Sequence, residues 1–256
     1  MRKKISPNNL VPISFILILI MFWELSTIIW KIPGYILPAP SGIIKTLFSA
    51  YSLMHPHIIA TLKEAFIGFS LAIILSFITA FIMDSIPLVK KAIYPLIITS
   101  QTIPIISVAP LIIIWFGYGI LPKILIALLV CFFPILISLL DGLASTDDEL
   151  INLLKSMGAN KIFIIKNVKL PSALPYLFSG LKISASYSIM GAIIGEWVGA
   201  KEGLGYFMIL SQKSFYIDRV FSAIVVITIL SLLIFKIVCI LERQLMPWQF
   251  IKENDH

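Results

Sequence analysis

The sequence offers few side chains suited to catalysis and several suited to lining a path for a polar solute. A phosphate loop of the form Gly-x-x-x-x-Gly-Lys-Ser/Thr is missing, so the chain is not expected to hydrolyse ATP itself. His55 and His57 have the spacing of a metal pair but lack a third ligand, so no metal site is expected. Polar groups instead interrupt apolar runs, where they mark either function or helix packing. The candidates for a path are Gln101, Thr102, Tyr187, Ser188 and Glu196.

The composition indicates a membrane protein that crosses the bilayer several times. Hydrophobic residues make up 59% of the chain and charged residues 13%, against the roughly 25% charged residues of soluble domains. Backbone groups must be paired inside lipid, so each apolar run of sufficient length should be a helix. We expect an all-α fold in one domain, residues 1–256, with Lys63 and Glu64 at the interface before the second span. The six predicted spans are 11–30, 65–83, 93–116, 123–143, 176–198 and 220–241.

Lysines and arginines beside the apolar runs predict the direction of the chain. They are scattered, so the net charge of +7 does not indicate a nucleic-acid partner. With the N-terminus in the cytoplasm, the inner side holds Arg2, Lys3, Lys4, Lys90, Lys91, Lys155, Lys161, Lys166, Lys169, Arg243 and Lys252. The outer side holds the smaller set Lys31, Lys45, Lys63, Lys123, Lys201, Lys213 and Arg219. Because positive residues favour cytoplasmic loops, we expect both termini to be cytoplasmic.

The third apolar run is unusual because it contains three prolines, Pro95, Pro104 and Pro110. Each proline removes a backbone donor and crowds the preceding turn of a helix. A helix facing lipid could not compensate for that loss, whereas a helix beside a wet cavity or a subunit interface could. Two interpretations remain open, a kinked packing helix and a helix that lines a path with Gln101 and Thr102.

The segment 144–175 is the one long polar stretch between apolar runs, and its first half predicts a short amphipathic helix. Thr146 and Glu149 have capping-box spacing, with Thr146 as the N-cap. Lys155 near the end of the helix suits the helix dipole. The predicted apolar stripe consists of Leu150, Leu153, Leu154 and Met157. We expect this segment to be cytoplasmic.

The second half of the same segment predicts another short helix. Gly158 is placed to end the first helix in the left-handed conformation that glycine tolerates. Asn160 should cap the second helix, which we expect to end at Pro171, with Pro175 opening the fifth span. Two interpretations fit this pattern. The two helices could contact a soluble partner, or they could lie on the lipid headgroups.

The spacing Gly158, Val168, Leu170, Pro171 resembles the cytoplasmic loop of ABC-importer permeases. In that family the loop reads Glu-Ala-Ala, three residues, Gly, nine residues, then Ile-x-Leu-Pro. The positions of Glu-Ala-Ala are here Asn152, Leu153 and Leu154. The acidic residue is therefore missing, and Glu149, one turn earlier, is the candidate to replace it. The resemblance implies a type I ABC importer permease fold, in which these residues and Ala159 couple the chain to an ATPase.

Longer stretches narrow this resemblance. The entry to the second span at 37–41 and the third run at 101–119 are similar to the nitrate/sulfonate/taurine group of permeases. The segments 195–200 and 203–206, with the tail 242–248, resemble permeases for hydroxymethylpyrimidine-type thiamine precursors. That likeness implies uptake of such a precursor, delivered by an extracellular binding protein, across a bacterial cytoplasmic membrane.

The resemblance also implies how the chain works with others. ATP and Mg would bind to separate ATPase subunits, and this chain would hold no cofactor and catalyse no reaction. Six spans are too few to enclose a path, so a second copy related by a two-fold axis is expected. One alternative is a permease for sulfonate, taurine or nitrate-type anions. An ion-coupled secondary transporter would carry more paired charges in the membrane, and a membrane enzyme would cluster His, Asp and Glu. Neither feature is evident in the sequence.

Overall fold

The computed structural model describes residues 7–251, and within that range the chain forms helices and no β-strand. The helices are α1 Pro7–Ile29, α2 Pro40–Ser49, α3 Tyr51–Ser85, α4 Pro87–Ser100, α5 Ile105–Phe116, α6 Ile120–Ala144, α7 Asp148–Ser156, α8 Lys161–Ile164, a π-helical turn Ile165–Lys169, α9 Leu170–Gly199, α10 Leu204–Lys213, α11 Ile217–Leu245 and α12 Pro247–Ile251. The orientation argument also used Arg2, Lys3, Lys4 and Lys252, which lie outside the described residues.

Five of the helices in the described range are long and apolar enough to cross a bilayer: α1, α3, α6, α9 and α11. The pair α4 and α5 makes a further candidate, bent by 103° at a short break. With this pair counted as one span, all six predicted spans are present. The prediction of an all-α, multi-pass fold is confirmed.

The third span differs from the continuous helix predicted at 93–116. Helix α4 ends at Ser100, and Pro104 sits in an extended conformation, φ −61° and ψ 120°, before α5 begins. Proline disfavours the helical conformation of the residue before it, which locates the break. The hydroxyl of Thr102 donates to the carbonyl of Thr99 at 2.7 Å, so the end of α4 has a side-chain partner. Pro95 and Pro110 lie inside helices and break nothing.

The second span begins earlier than predicted, because α3 extends from Tyr51 to Ser85, a length of 35 residues. At 1.5 Å per residue it is about 50 Å long, more than the ~30 Å of the hydrocarbon core. The two residues predicted at the interface, Lys63 and Glu64, differ in their surroundings. The Glu64 side chain is 1% exposed within the bundle, whereas Lys63 is exposed.

Helices α6 and α9 form the centre of the bundle, and small residues let their backbones approach closely. A Cβ atom at Gly180 would lie 2.8 Å from the carbonyl oxygen of Pro134, and one at Gly191 would lie 2.7 Å from Cα of Ala127. Any side chain at these positions would push the helices apart. The expectation that glycines in the fifth span permit close helix packing is confirmed.

Polar bonds also join helices of the bundle to one another. The Glu24 carboxylate of α1 accepts from the hydroxyl of Ser41 at 2.7 Å and from its backbone N–H at 3.0 Å. Lys182 of α9 pairs with Glu242 of α11 at 2.8 Å. Such bonds within the membrane help fix helix positions where hydrophobic burial gives little preference between lipid and protein.

Candidate coupling loop and translocation path

The connection between α6 and α9 is ordered around capping bonds, although its N-cap differs from the predicted one. Asp147 is the N-cap of α7, and its carboxylate accepts from the backbone N–H of Glu149 at 2.8 Å. The prediction that Thr146 is the N-cap is wrong. The Thr146 hydroxyl is buried without a hydrogen-bond partner among the described residues. Aspartate one position later also puts its negative charge at the positive end of the helix.

Gly158 ends α7 as predicted. Its φ is +86°, which side chains rarely tolerate. The N–H of Gly158 donates to the carbonyl of Lys155 at 3.0 Å, and that of Ala159 donates to the carbonyl of Leu154 at 2.9 Å. This pair of bonds is the Schellman motif, which closes a helix end and reverses the chain.

The second helix begins as predicted but does not end at Pro171. Asn160 caps α8, accepting from the N–H of Phe163 at 2.8 Å. The chain then continues through the π-helical turn directly into α9, which has Pro171 as its second residue and Pro175 in its interior. The wider π-helical turn comes just before Pro171. It relieves the clash between the proline ring and the backbone one turn earlier.

Apolar side chains of α7 and α8 point away from the bundle. We call them the loop surface: Leu150, Leu153, Met157, Ile162 and Phe163, all between 42% and 76% exposed. Apart from Gly158, the other residues predicted to couple the chain to an ATPase differ in exposure. Three are exposed: Glu149, Asn152 and Pro171. Four are partly buried: Leu154, Ala159, Val168 and Leu170. Helix α7 packs inward through Ile151, 9% exposed, and not through the predicted stripe.

Two lysines bind the loop to the end of α3. Lys169 pairs with both oxygens of Asp84, at 2.7 and 2.9 Å. Lys161 donates to the carbonyl of Ser85 at 3.1 Å. A force applied to α7 or α8 is therefore transmitted to α3 and α9 together.

The break between α4 and α5 opens onto a cavity of about 500 Å³. Of the predicted path residues, Gln101 and Tyr187 line this cavity. Its walls are otherwise mainly apolar and include Leu129, Val130, Phe133 and Met190. No charged side chain lines it among the described residues. Irregular backbone at membrane depth is stable where it borders a cavity, which favours the path interpretation of the third run.

The other predicted path residues lie elsewhere. Ser188 is fully buried within the protomer, and its hydroxyl donates to the carbonyl of Ala185 at 2.8 Å, so it cannot face a dimer axis. Thr102 is exposed but does not line the cavity. Glu196 is 1% exposed, its carboxylate accepts from the hydroxyl of Thr61, and it does not line the cavity. Helix phase decides these positions, and the sequence pattern did not specify it.

A buried charge cluster escaped the sequence analysis. Lys123 at the start of α6 forms an ion pair with Glu64 of α3, and both are nearly inaccessible. Glu64 also interacts electrostatically with Glu196 of α9. The sequence analysis did not predict this pair. The available signal was one acid and one base within apolar runs of different spans, since such residues rarely stay unpaired in a membrane.

The fold and the loop together define a class: a multi-pass helical membrane protein with a structured connection that presents an apolar surface. Residues 68–247 match the family described as binding-protein-dependent transport system inner membrane component. The chain belongs to this family and has the type I ABC permease fold. It is therefore the membrane component of an ABC importer and not an enzyme.

Several relatives are similar over almost the whole chain. The formylaminopyrimidine transport permease protein ThiX of Halalkalibacterium halodurans is 38% identical, covering 96% of this chain and 98% of the relative. The riboflavin transport system permease protein RibX of Chloroflexus aurantiacus is 34% identical, covering 93% and 90%. The putative aliphatic sulfonates transport permease protein SsuC of Bacillus subtilis is 26% identical, covering 91% and 85%. The predicted likeness to precursor permeases, and the wider one to sulfonate permeases, are both confirmed.

Proposed function

We propose that two copies of this chain form the path of an ATP-driven importer for an uncharged pyrimidine-type compound, a thiamine precursor such as hydroxymethylpyrimidine. A binding protein delivers the compound on the outer side. ATP and Mg bind to separate ATPase subunits, which contact the loop surface. Both termini and the loop lie in the cytoplasm of a bacterial cell.

The observation that carries the coupling role is the exposure of the loop surface on a rigidly held connection. Met157 and Ile162 are 74% and 76% exposed, although they lie beside a helix reversal that Gly158 fixes. A helix resting on lipid headgroups needs no ion pair to the end of a spanning helix, whereas the pair Lys169–Asp84 is 2.7 Å long. A rigidly held pair of helices, α7 and α8, with an exposed apolar surface is suited to bind an ATPase subunit and to transmit its motion.

Two observations support the substrate class. The relatives named for formylaminopyrimidine and riboflavin, both nitrogen heterocycles, are more similar than the one named for sulfonates. The cavity beside Gln101 combines an amide, the Tyr187 phenol and the Phe133 ring, with no cation lining it among the described residues. An anion in such a cavity would lack a charged partner, whereas a neutral ring could stack on Phe133 and bond to the amide.

Reconstituted transport tests the proposal. The permease, its ATPase and its binding protein are placed in liposomes, and uptake of labelled hydroxymethylpyrimidine, formylaminopyrimidine, riboflavin and taurine is followed with and without ATP. We expect ATP-dependent uptake of one or both pyrimidines. Uptake of taurine alone would overturn the substrate class and leave the importer mechanism standing. Equal uptake without ATP would overturn the coupling role.

A further inference from the structure

A group of polar side chains lies near the end of the bundle opposite the coupling loop. We call it the cap cluster: His57, Thr61, Glu64, Lys123 and Glu196. They come from α3, α6 and α9. Glu64, Lys123 and Glu196 are each at most 4% exposed. Buried charges at a helix end need partners, and a fourth helix, α10, supplies them.

The N–H groups of the N-cap Gly203 and of the first two residues of α10 donate to cap-cluster side chains. The N–H of Gly203 donates to Nδ1 of His57 at 3.1 Å. That of Leu204 donates to the hydroxyl oxygen of Thr61 at 2.8 Å. That of Gly205 donates to Oε2 of Glu196 at 2.5 Å. The first N–H groups of a helix have no partner within it, so α10 is capped by α3 and α9 rather than by its own sequence.

The glycines at this start leave room for the carboxylate. Gly203 has φ +111°, and a Cβ there would overlap the Glu196 carboxyl group. A Cβ at Gly205 would lie 3.0 Å from Oε2 of Glu196 and 2.9 Å from the carbonyl oxygen of Ile193. Side chains at either position would displace the carboxylate from the helix end.

The start of α10 adds positive potential to a cap cluster that holds two carboxyl groups and one ammonium group. Two carboxylates, Glu64 and Glu196, face one ammonium group, that of Lys123. The N-terminus of a helix carries a partial positive charge of about half a unit, and α10 directs this end at Glu196. Thr61 adds a hydroxyl donor to the same carboxylate, at 2.6 Å.

We propose that Glu196 is a positioning residue whose carboxylate caps α10 from another helix and holds α10 against the bundle during transport. The helix does not swing as a lid; α3, α9 and α10 move together. Helix α9 also borders the cavity through Met190, six residues before Glu196. Ile194 belongs to the same apolar cluster as Ile105 and Val108, which line the cavity. Detaching α10 therefore disturbs the path as well as the surface.

Accessibility of Ser211 tests this directly. Ser211 lies on α10 and is 4% exposed, so Ser211→Cys reports release of the helix. Cys131 and Cys239 are replaced by alanine, and the purified permease–ATPase complex in nanodiscs is labelled with a polar maleimide. Glu196→Ala should raise the labelling rate about tenfold or more, because the loss of a charged cap frees the helix end. Glu196→Gln, which retains one acceptor oxygen, should give an intermediate rate.

Matched variants separate the cap from general damage. Glu202→Ala removes an exposed acid from the same connection and should leave labelling unchanged. If Glu196→Ala does not assemble, Thr61→Val decides, since it keeps the shape while removing the bonds to Glu196 and Leu204. The proposal is overturned if Glu196→Ala is labelled at the same rate as the parent. If Glu196→Ala does not assemble, the same result for Thr61→Val overturns it.

A second readout asks whether the position of α10 matters for transport. Binding protein loaded with formylaminopyrimidine should stimulate ATP hydrolysis by the parent complex. In the Glu196→Ala complex we expect this stimulation to be about fivefold smaller, with basal hydrolysis unchanged. This readout rests on the proposed function, whereas the labelling does not. If Glu196→Ala is labelled fast but loaded binding protein does not stimulate ATP hydrolysis by the parent, the proposed substrate is wrong and the capping role of Glu196 stands. Fast labelling with parental stimulation would overturn the role of α10 in transport.

Discussion

Lys123 shows how much of this protein depends on single buried side chains. It lies in an apolar run, where sequence alone suggested an exposed residue at a membrane boundary. In the structure its ammonium group pairs with Glu64. A Cβ atom added at Gly195 of α9 would lie 2.9 Å from Cα of Lys123, so α9 passes close to this residue. One residue at the start of α6 thereby contacts two other spanning helices, α3 and α9.

Removing that charge should destabilise the protein strongly. Lys123→Met keeps the length of the side chain but leaves Glu64 buried without its cation, which costs about 3–5 kcal/mol when a buried pair is broken. Thermal unfolding of the purified protein measures the loss. The control is Lys63→Met, an exposed lysine on α3. Equal melting temperatures for the two variants would contradict the pairing. The double variant Glu64→Gln, Lys123→Met should recover part of the loss.

Gly158 is the residue that the coupling turn requires. Gly158→Val places a β-branched side chain at φ +86°, where left-handed backbone costs about 1–2 kcal/mol or more. Open space surrounds the position, so the effect comes from the backbone and not from a clash. We expect an inserted protein that no longer retains its ATPase, or hydrolyses ATP without transport.

The matched control at this turn is Gly158→Asn, because asparagine tolerates the left-handed conformation better than other side chains. Co-purification with the ATPase and substrate-stimulated hydrolysis are measured for both variants. Normal stimulated hydrolysis in Gly158→Val would remove the docking role from this turn.

At the scale of elements, the broken pair α4 and α5 borders the cavity that we propose as the path. A continuous third helix would pass by the cavity, whereas the 103° bend presents Gln101 to it. Helix interruptions at membrane depth are a recurrent feature of binding sites in transporters, since they free polar groups for the solute.

Gln101→Leu should therefore slow uptake about tenfold, by removing one hydrogen bond to a substrate held away from water. Dimer assembly and affinity for the binding protein should not change. Thr102→Val is the matched control, because Thr102 lies next in the chain, is exposed and does not line the cavity. Parental uptake in Gln101→Leu, or an equal loss in Thr102→Val, would remove Gln101 from the path.

At the scale of the whole molecule, the two ends of the bundle differ in the elements they carry. The loop lies at one end of α6 and α9, and α10 follows the other end of α9. The loops and termini predicted to be cytoplasmic carry more lysine and arginine than the outer loops, which favours a cytoplasmic position for the loop 144–175.

Single cysteines test the orientation. Ser156→Cys on α7 and Ser214→Cys after α10 are conservative changes at exposed positions. In a background with Cys131 and Cys239 replaced by alanine, an impermeant maleimide added to intact cells should label Ser214→Cys alone. In inside-out vesicles it should label Ser156→Cys alone. Labelling of both from one side would contradict the proposed topology.

Much of this protein follows from its sequence because the bilayer imposes the same rule on every segment. Apolar length and the need to pair backbone groups predicted six helical spans, and the spans are present. Local backbone chemistry was predictable too. Gly158 adopts the left-handed conformation and Asn160 caps its helix, since each effect depends on only a few neighbouring residues.

What the sequence could not determine involves residues far apart in the chain. The break at Pro104 rather than Pro95, and the burial of Ser188, depend on which face of a helix meets its neighbours. Glu64 meets Lys123, and Glu196 caps α10, only because close glycine contacts set the distance and rotation of the helices. Inside a membrane every face is apolar, so the pattern of hydrophobic residues no longer marks which side packs inward. Tertiary packing alone makes that choice.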